Sequence, residues 1–259
     1  MFSINEFMEL LEGVCPLSLS YKMIEKGSYD NSGLLVKTSE KAEKILFSLD
    51  LSSAVVDKAI ELGCDTIVTH HPAIYEPLKS LSITGETAPI TLAIKNQINI
   101  ISMHLNLDIA TDGIDQLLVK GLGGENVEIL SLVDGEHGYG RQAIINECKL
   151  EDFVQKIKAT FNSDKIIAYG NGSVNKIASF CGSGASQAVE CLQNLSAETI
   201  VSSDIPHHHL KVLIESGKNV VIIPHYVSEQ YGFNNFYALL TKLLEGKAKT
   251  FYFLDKRFM

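Results

Sequence analysis

Two stretches of the 259-residue chain carry the same succession of apolar, β-branched runs, and a repeated succession constrains a fold more than any single element does, because each copy must solve the same packing problem. In the first stretch, Lys44 to Asp50, Asp65 to Thr69 and Ile98 to Met103 read as strands. In the second, Lys176 to Gly182, Glu198 to Ser202 and Asn219 to Pro224 take the matching places. Helical patterns separate the first set: Ser52 or Ser53 caps a helix that runs through Val55, Ala59 and Leu62 to Gly63, and another lies around Thr87 to Asn96. Strands alternating with helices predict an α/β fold: two similar repeats, 1–125 and 126–259, open to being intertwined, with mixed, largely parallel sheets.

The remaining segments are simpler. Met1 to Leu11 reads as a first helix with Ser3 as cap and Glu6 completing a capping box, not as a signal peptide. Gly121 to Gly140, glycine-rich and acidic, reads as a connection of modest length. Arg141 to Asn146 follows as a strand, Leu150 to Phe161 as an amphipathic helix, Phe233 to Leu244 as a helix, and Thr250 to Leu254 as a closing strand. Composition bounds the function. A formal charge of -9 with no basic cluster argues against a nucleic-acid partner, and no run approaches the roughly 20 apolar residues of a membrane helix. The five cysteines are scattered, with no Cys-x-x-Cys pair, which points to reduced thiols in a cytoplasm. Cys64 and Cys181, in or beside apolar strands, read as buried structural thiols.

Chemistry concentrates where strands end. Thr69-His70-His71-Pro72 closes a β-branched run, and Pro72 holds His71 extended at the carboxyl edge of the strand, where open α/β sheets gather ligands. A polar loop that happens to hold two histidines is the plainer account. The next strand of the same half ends in His104-x3-Asp108, and the matching strand of the other half leads to His225-x3-Glu229. Residues four apart share a helical face, so each pair can aim at one centre if a helix starts there. These imidazoles and carboxylates form a nitrogen and oxygen set suited to zinc, iron, manganese, cobalt or nickel rather than calcium. They are too many for one closed tetrahedral zinc, and two metals bridged by a carboxylate fit the count better.

Taken in order, Asp30-Asn31-Ser32-Gly33-Leu34, Leu49-Asp50, His70-His71-Pro72, His104 to Asp108, Gly182 to Ser186 and His225 with Glu229 resemble the motifs of the NIF-three-like (NGG-interacting-factor-three-like) dinuclear-metal-centre family, often labelled type-two GTP cyclohydrolase homologues. The resemblance covers nearly the whole chain. It implies a metal site in the cleft between the repeats, with two divalent ions, most naturally zinc, iron or manganese. His70, His225 and Glu229 would hold one ion and His71, Asp108 and Glu229 the other, with His104 beside them as a candidate catalytic proton carrier. Asp50 and Asp204 could accept hydrogen bonds from ligand imidazoles, or simply be solvated at strand ends. The chain departs from the family in Ser202-Ser203-Asp204 and in Pro206-His207-His208-His209, a triple histidine that reads as a solvated helix start. The resemblance implies a cytoplasmic homohexamer and a metal-dependent hydrolase acting on a small nucleotide-like or phosphorylated substrate. Metal storage or delivery without turnover, or a scaffold stapled by its metals, are the rival readings.

Overall fold

In the computed structural model, which describes residues 2–259, the chain forms two compact units, one of Met1–Ala110 with Phe233–Lys256 and the other of Thr111–Gly232 with Arg257–Met259. Repeats are grouped by the order of their elements and compact units by contact, so these bounds differ in kind from the repeats 1–125 and 126–259. The duplication remains a proposal.

The first unit begins with α1 (Ile4–Val14) and α2 (Leu17–Glu25). Ser3 caps α1 as expected: its hydroxyl accepts from the Glu6 N–H at 3.2 Å while the Glu6 carboxylate accepts from the Ser3 N–H at 2.8 Å. β1 (Gly33–Val36), β2 (Lys44–Ser48), α3 (Ser53–Leu62), β3 (Thr66–Thr69), α4 (Ala88–Lys95), β4 (Asn99–Ser102) and α5 (Leu105–Ile109) follow. Ser52 caps α3 by accepting from the Val55 N–H, and Gly63 ends it at φ +66°, a left-handed turn that glycine adopts without steric cost.

The second unit runs through α6 (Ile114–Gly121), β5 (Glu125–Leu132), β6 (Gly138–Lys149), α7 (Leu150–Phe161), β7 (Ile167–Tyr169), β8 (Ser173–Ser179), α8 (Ala185–Glu190), β9 (Thr199–Ser202), α9 (His207–Glu215) and β10 (Asn219–Ile222). The long helix α10 (His225–Leu243) begins in this unit and passes at Phe233 into residues of the first, to which β11 (Lys249–Tyr252) belongs entirely.

The first sheet has the order β1-β4-β3-β2-β11, with only the β1–β4 pairing antiparallel. The second has the order β5-β6-β8-β9-β10-β7, with β8–β9 and β9–β10 parallel and the outer pairings antiparallel. The α/β class with mixed sheets is therefore as expected, and every parallel pair but β2–β11 has a helix connecting its two strands. All four residues of β3 and of β9 are buried, which is why these short strands read as continuous apolar runs. Phe47 of β2, fully buried, packs against Phe236 and Tyr237 of α10, ring centroids 6.3 and 5.4 Å away.

The stretch Gly121 to Gly140 is not merely a connection. It contains the end of α6, all of β5 and the start of β6. β5 is an edge strand exposed over its first half on both faces, so it shows no apolar alternation, and its Glu125 and Glu128 are the charges edge strands carry. α2, α6 and β7 were not anticipated either.

None of the five cysteines is in a disulfide. Cys64 and Cys181 are buried, as expected. Burial, reinforced by the charge of Asp65, pushes the Cys64 thiol up to about 11. At pH 8 it should react with iodoacetamide roughly a hundredfold more slowly than free cysteine, and mass spectrometry of tryptic peptides after timed alkylation checks this. Labelling of Cys64 at the free-thiol rate would show that the site opens. No helix among the described residues is long and apolar enough to cross a membrane.

Candidate metal centre

In the first unit, the strand ends supply three imidazoles. β3 stops at Thr69 because the next two N–H groups leave the ladder: those of His70 and His71 both donate to the Leu49 carbonyl, at 3.0 and 3.1 Å. Both histidines therefore stand at the end of one strand, and their rings lie 4.8 Å apart between centroids. His104 lies two residues beyond β4 at the N-cap of α5, and its ring centroid is 5.2 Å from that of His70 and 5.7 Å from that of His71. One nitrogen from each of the three lies within 4.8 Å of the other two. The turn of α5 carries Asp108 back toward this group: its N–H donates to the His104 carbonyl at 2.9 Å, and its Oδ1 is 3.5 Å from His70 Nε2. His70 is wholly buried and Asp108 nearly so.

In the second unit, α10 starts at His225 immediately after β10 and Pro224, so His225 and Glu229 face each other on its first turn with Nε2 and Oε1 3.0 Å apart. The Ser228 hydroxyl donates to the His225 carbonyl at 2.8 Å and accepts from Ser203 at 3.0 Å, which ties this turn to the loop after β9. Gly182 sits directly against the pair with φ +55°. A Cβ there would collide with the Glu229 carboxylate and come within 3.4 Å of His225 Nε2. Backbone alone occupies that side of the two donors.

Each of the four imidazoles is held through Nδ1 by an oxygen. For His70 it is the Met103 carbonyl at 2.8 Å, for His71 Asp50 Oδ1 at 2.7 Å, for His104 Asp30 Oδ1 at 2.7 Å, and for His225 Asp204 Oδ2 at 2.5 Å. Carbonyls and carboxylates only accept, so Nδ1 carries a proton and Nε2 is the nitrogen left to face a ligand. This is how ligand histidines are oriented and made more basic in metal sites. Donors of this kind fit a first-row divalent ion, and the space that Gly182 keeps beside Glu229 fits it too.

Of the residues singled out in the sequence, His70, His71, His104 and Asp108 come together in the first unit and His225 with Glu229 in the second. Asp50 and Asp204 are imidazole partners rather than merely solvated. The triple histidine opens α9 with His207 and His208 exposed, and among the described residues no converging donor group includes it. Sequence reasoning named Asp30 only within a family motif and gave it no role. Its side chain is buried, accepts from Ser20 and, at 2.7 Å, from Ser32, and holds His104 across 74 positions of sequence. It also missed Tyr75, whose ring stands edge-on to His104 at 6.4 Å. Burial, then the charge of Asp30, raises the Tyr75 phenol above its ordinary value.

The model of the Duf34/NIF3 (NGG1p interacting factor 3) family matches residues 2–256. The chain belongs to this family. It is 32% identical over 235 residues to a Clostridium perfringens protein named GTP cyclohydrolase 1 type 2 homolog, covering 87% of this chain and 86% of that one. Among solved structures of similar fold, Staphylococcus aureus protein SA1388 superposes with a TM-score of 0.85 at 28% identity over 98% of this chain and 97% of that one. Reduced HcgD from Methanocaldococcus jannaschii gives 0.79 at 27% over 96% and 97%. A Bacillus cereus protein related to NIF3, 20% identical with a TM-score of 0.87 over 98% and 97%, supports the fold alone. The Duf34/NIF3 fold is thus the frame on which these histidines and carboxylates are mounted.

Proposed function

We propose that this protein is a metal-dependent hydrolase of a small nucleotide-like or phosphorylated substrate, in which His70, His71, Asp108, His225 and Glu229 would hold two divalent ions, Glu229 contributing to both. The ions are of the zinc, iron or manganese kind. The observation that carries the reading is the uniform anchoring of four imidazoles through Nδ1, three of them by aspartates. A packing histidine has no reason to recruit a carboxylate each time. Divalent cations at such donors supply Lewis acidity and a water that ionises near pH ~7. The two acidic ligands, both nearly buried, offset the cationic charge in a place where water cannot. His104 presents Nε2 beside the cluster, and Asp30 behind it stabilises the ring when that atom takes up a proton. The name borne by the Clostridium relative makes GTP the first substrate to try.

The test is elemental analysis of the purified protein beside its Glu229→Gln variant, followed by assay of both, metal-loaded, on GTP and a nucleotide panel. Wild type should hold two ions per chain and the variant fewer than one, with turnover lost in parallel. Equal metal and equal activity in both would end the proposal. Ions surrendered to a weak chelator within minutes, with no substrate turned over, would put storage or delivery in its place. A cytoplasmic homohexamer belongs to the same proposal, and light scattering on a sizing column checks the stoichiometry.

A further inference from the structure

The loop between His71 and α4, residues 72–87, has no strand or helix of its own, yet it is anchored at its start and braced within itself at its end. The Asn31 side-chain amide donates to the Ile74 carbonyl at 2.6 Å, the Ala73 N–H to the Ser102 hydroxyl at 3.1 Å, and the Ser82 N–H to the Thr87 hydroxyl at 2.9 Å. Ordered loops of this length are commonly binding elements. This one, with the start of α4, lines a half-open cavity of about 500 Å³, within the range of small-molecule sites.

Its lining is specific in two ways. Tyr75 belongs both to the cavity and to the histidine cluster, since its ring is edge-on to His104 at 6.4 Å and to Tyr29 at 4.8 Å, and its hydroxyl donates to the Tyr29 carbonyl at 3.3 Å. Perpendicular neighbours and that hydrogen bond fix the plane of the ring, while 47% of the residue stays exposed, leaving aromatic surface for a stacked ligand. The charged lining is Glu76, Glu86 and Lys79. Two carboxylates against one ammonium disfavour a polyphosphate but can accept from the N–H edge of a neutral ring.

We infer that the cavity behind Tyr75 binds a neutral, planar nitrogen heterocycle carrying N–H donors, stacked on Tyr75, with Glu76 or Glu86 accepting from its edge. The inference rests on the hydrolase reading for the identity of the neighbouring site, and it deepens that reading by assigning recognition to the ring of the substrate rather than to its phosphates.

Guanosine and GTP share one ring and differ in charge, so they are the probes, with ribose 5-phosphate as the ring-free arm. Calorimetric titrations use the full-length protein, metal-loaded and again after chelation, so that contact between phosphate and metal is separated from the lining. The chelated protein should bind guanosine more tightly than GTP and show no heat with ribose 5-phosphate. Tyr75→Ala should weaken guanosine roughly tenfold, and Tyr75→Phe should stay within about twofold, because the ring and not the hydroxyl carries the stack. Glu76→Gln with Glu86→Gln should narrow the gap between the two probes. Guanosine binding that Tyr75→Ala leaves unchanged, or no guanosine binding at all, overturns the inference. Metal content read on the same samples keeps the failures apart: a protein that holds no ions but binds guanosine through Tyr75 sinks the hydrolase reading alone, and one that holds two ions and ignores Tyr75 sinks this one alone.

Discussion

Alanine at Gly182 should abolish much of the protein's metal affinity without unfolding it. Two effects are superposed at this position. The left-handed backbone, φ +55°, costs an L-residue about 1–2 kcal/mol, which a fold of typical stability, ~5–15 kcal/mol, survives. The new methyl would also overlap the Glu229 carboxylate, which is buried on the first turn of α10 and has Gly182 against it. Glu229 must then turn away from His225, and in the proposed centre it is the one ligand common to both ions, so both should weaken, by tenfold or more for a lost charged donor. Gly217 provides the control: its φ is +75°, and a Cβ there meets nothing within 4 Å. Gly217→Ala should show a similar loss of melting temperature and no loss of metal. If the two variants bind zinc equally in a competitive chelator titration, Glu229 is not a ligand.

The largest effect on stability should come from Asp115→Ala. Asp115, on α6, is wholly buried, and Arg141, on β6, is 3% exposed. Arg141 Nη1 donates to Asp115 Oδ2 at 2.9 Å and to the Gly138 and Gly140 carbonyls at 2.8 and 3.1 Å, while the other Asp115 oxygen accepts from the Cys181 N–H at 3.2 Å. Deleting the carboxylate strands a guanidinium where only carbonyl dipoles oppose its charge, an outcome that costs about 3–5 kcal/mol in comparable buried pairs. For a chain of this size that corresponds to a fall of about 10 °C in Tm. Replacing both members with apolar residues, Asp115→Leu with Arg141→Met, should lose less than the single change, because no charge is then left buried. A calorimetric Tm for Asp115→Ala within about 2 °C of wild type would show that the pair contributes little.

What the sequence disclosed follows from how local each signal is. β3 and β9 are short and buried on both faces, so their apolar runs were plain, and the histidine and proline after β3 marked its end. Ser3 with Glu6 and Ser52 with Gly63 located helix ends, because caps are made by neighbours. The candidate site was legible to the same depth. His225 and Glu229 are four apart on one helix, as are His104 and Asp108 across the start of α5, whereas the oxygen that holds His104 comes from Asp30 and the one that holds His70 from a backbone carbonyl, neither of which any spacing betrays. β5 escaped notice because an edge strand with no buried face over half its length has no pattern to display.

The parallel pairing of Lys44 to Lys249 joins β2 to a strand 205 residues further along. During synthesis β2, β3 and β4 can align early, but β2 must wait with its outer rim of N–H and C=O groups unpaired until residues 249–252 have left the ribosome. A nascent or prematurely terminated chain thus presents an apolar, adhesive strand to its neighbours, and the last few strand residues act as the seal that makes the finished molecule safe in a crowded cell.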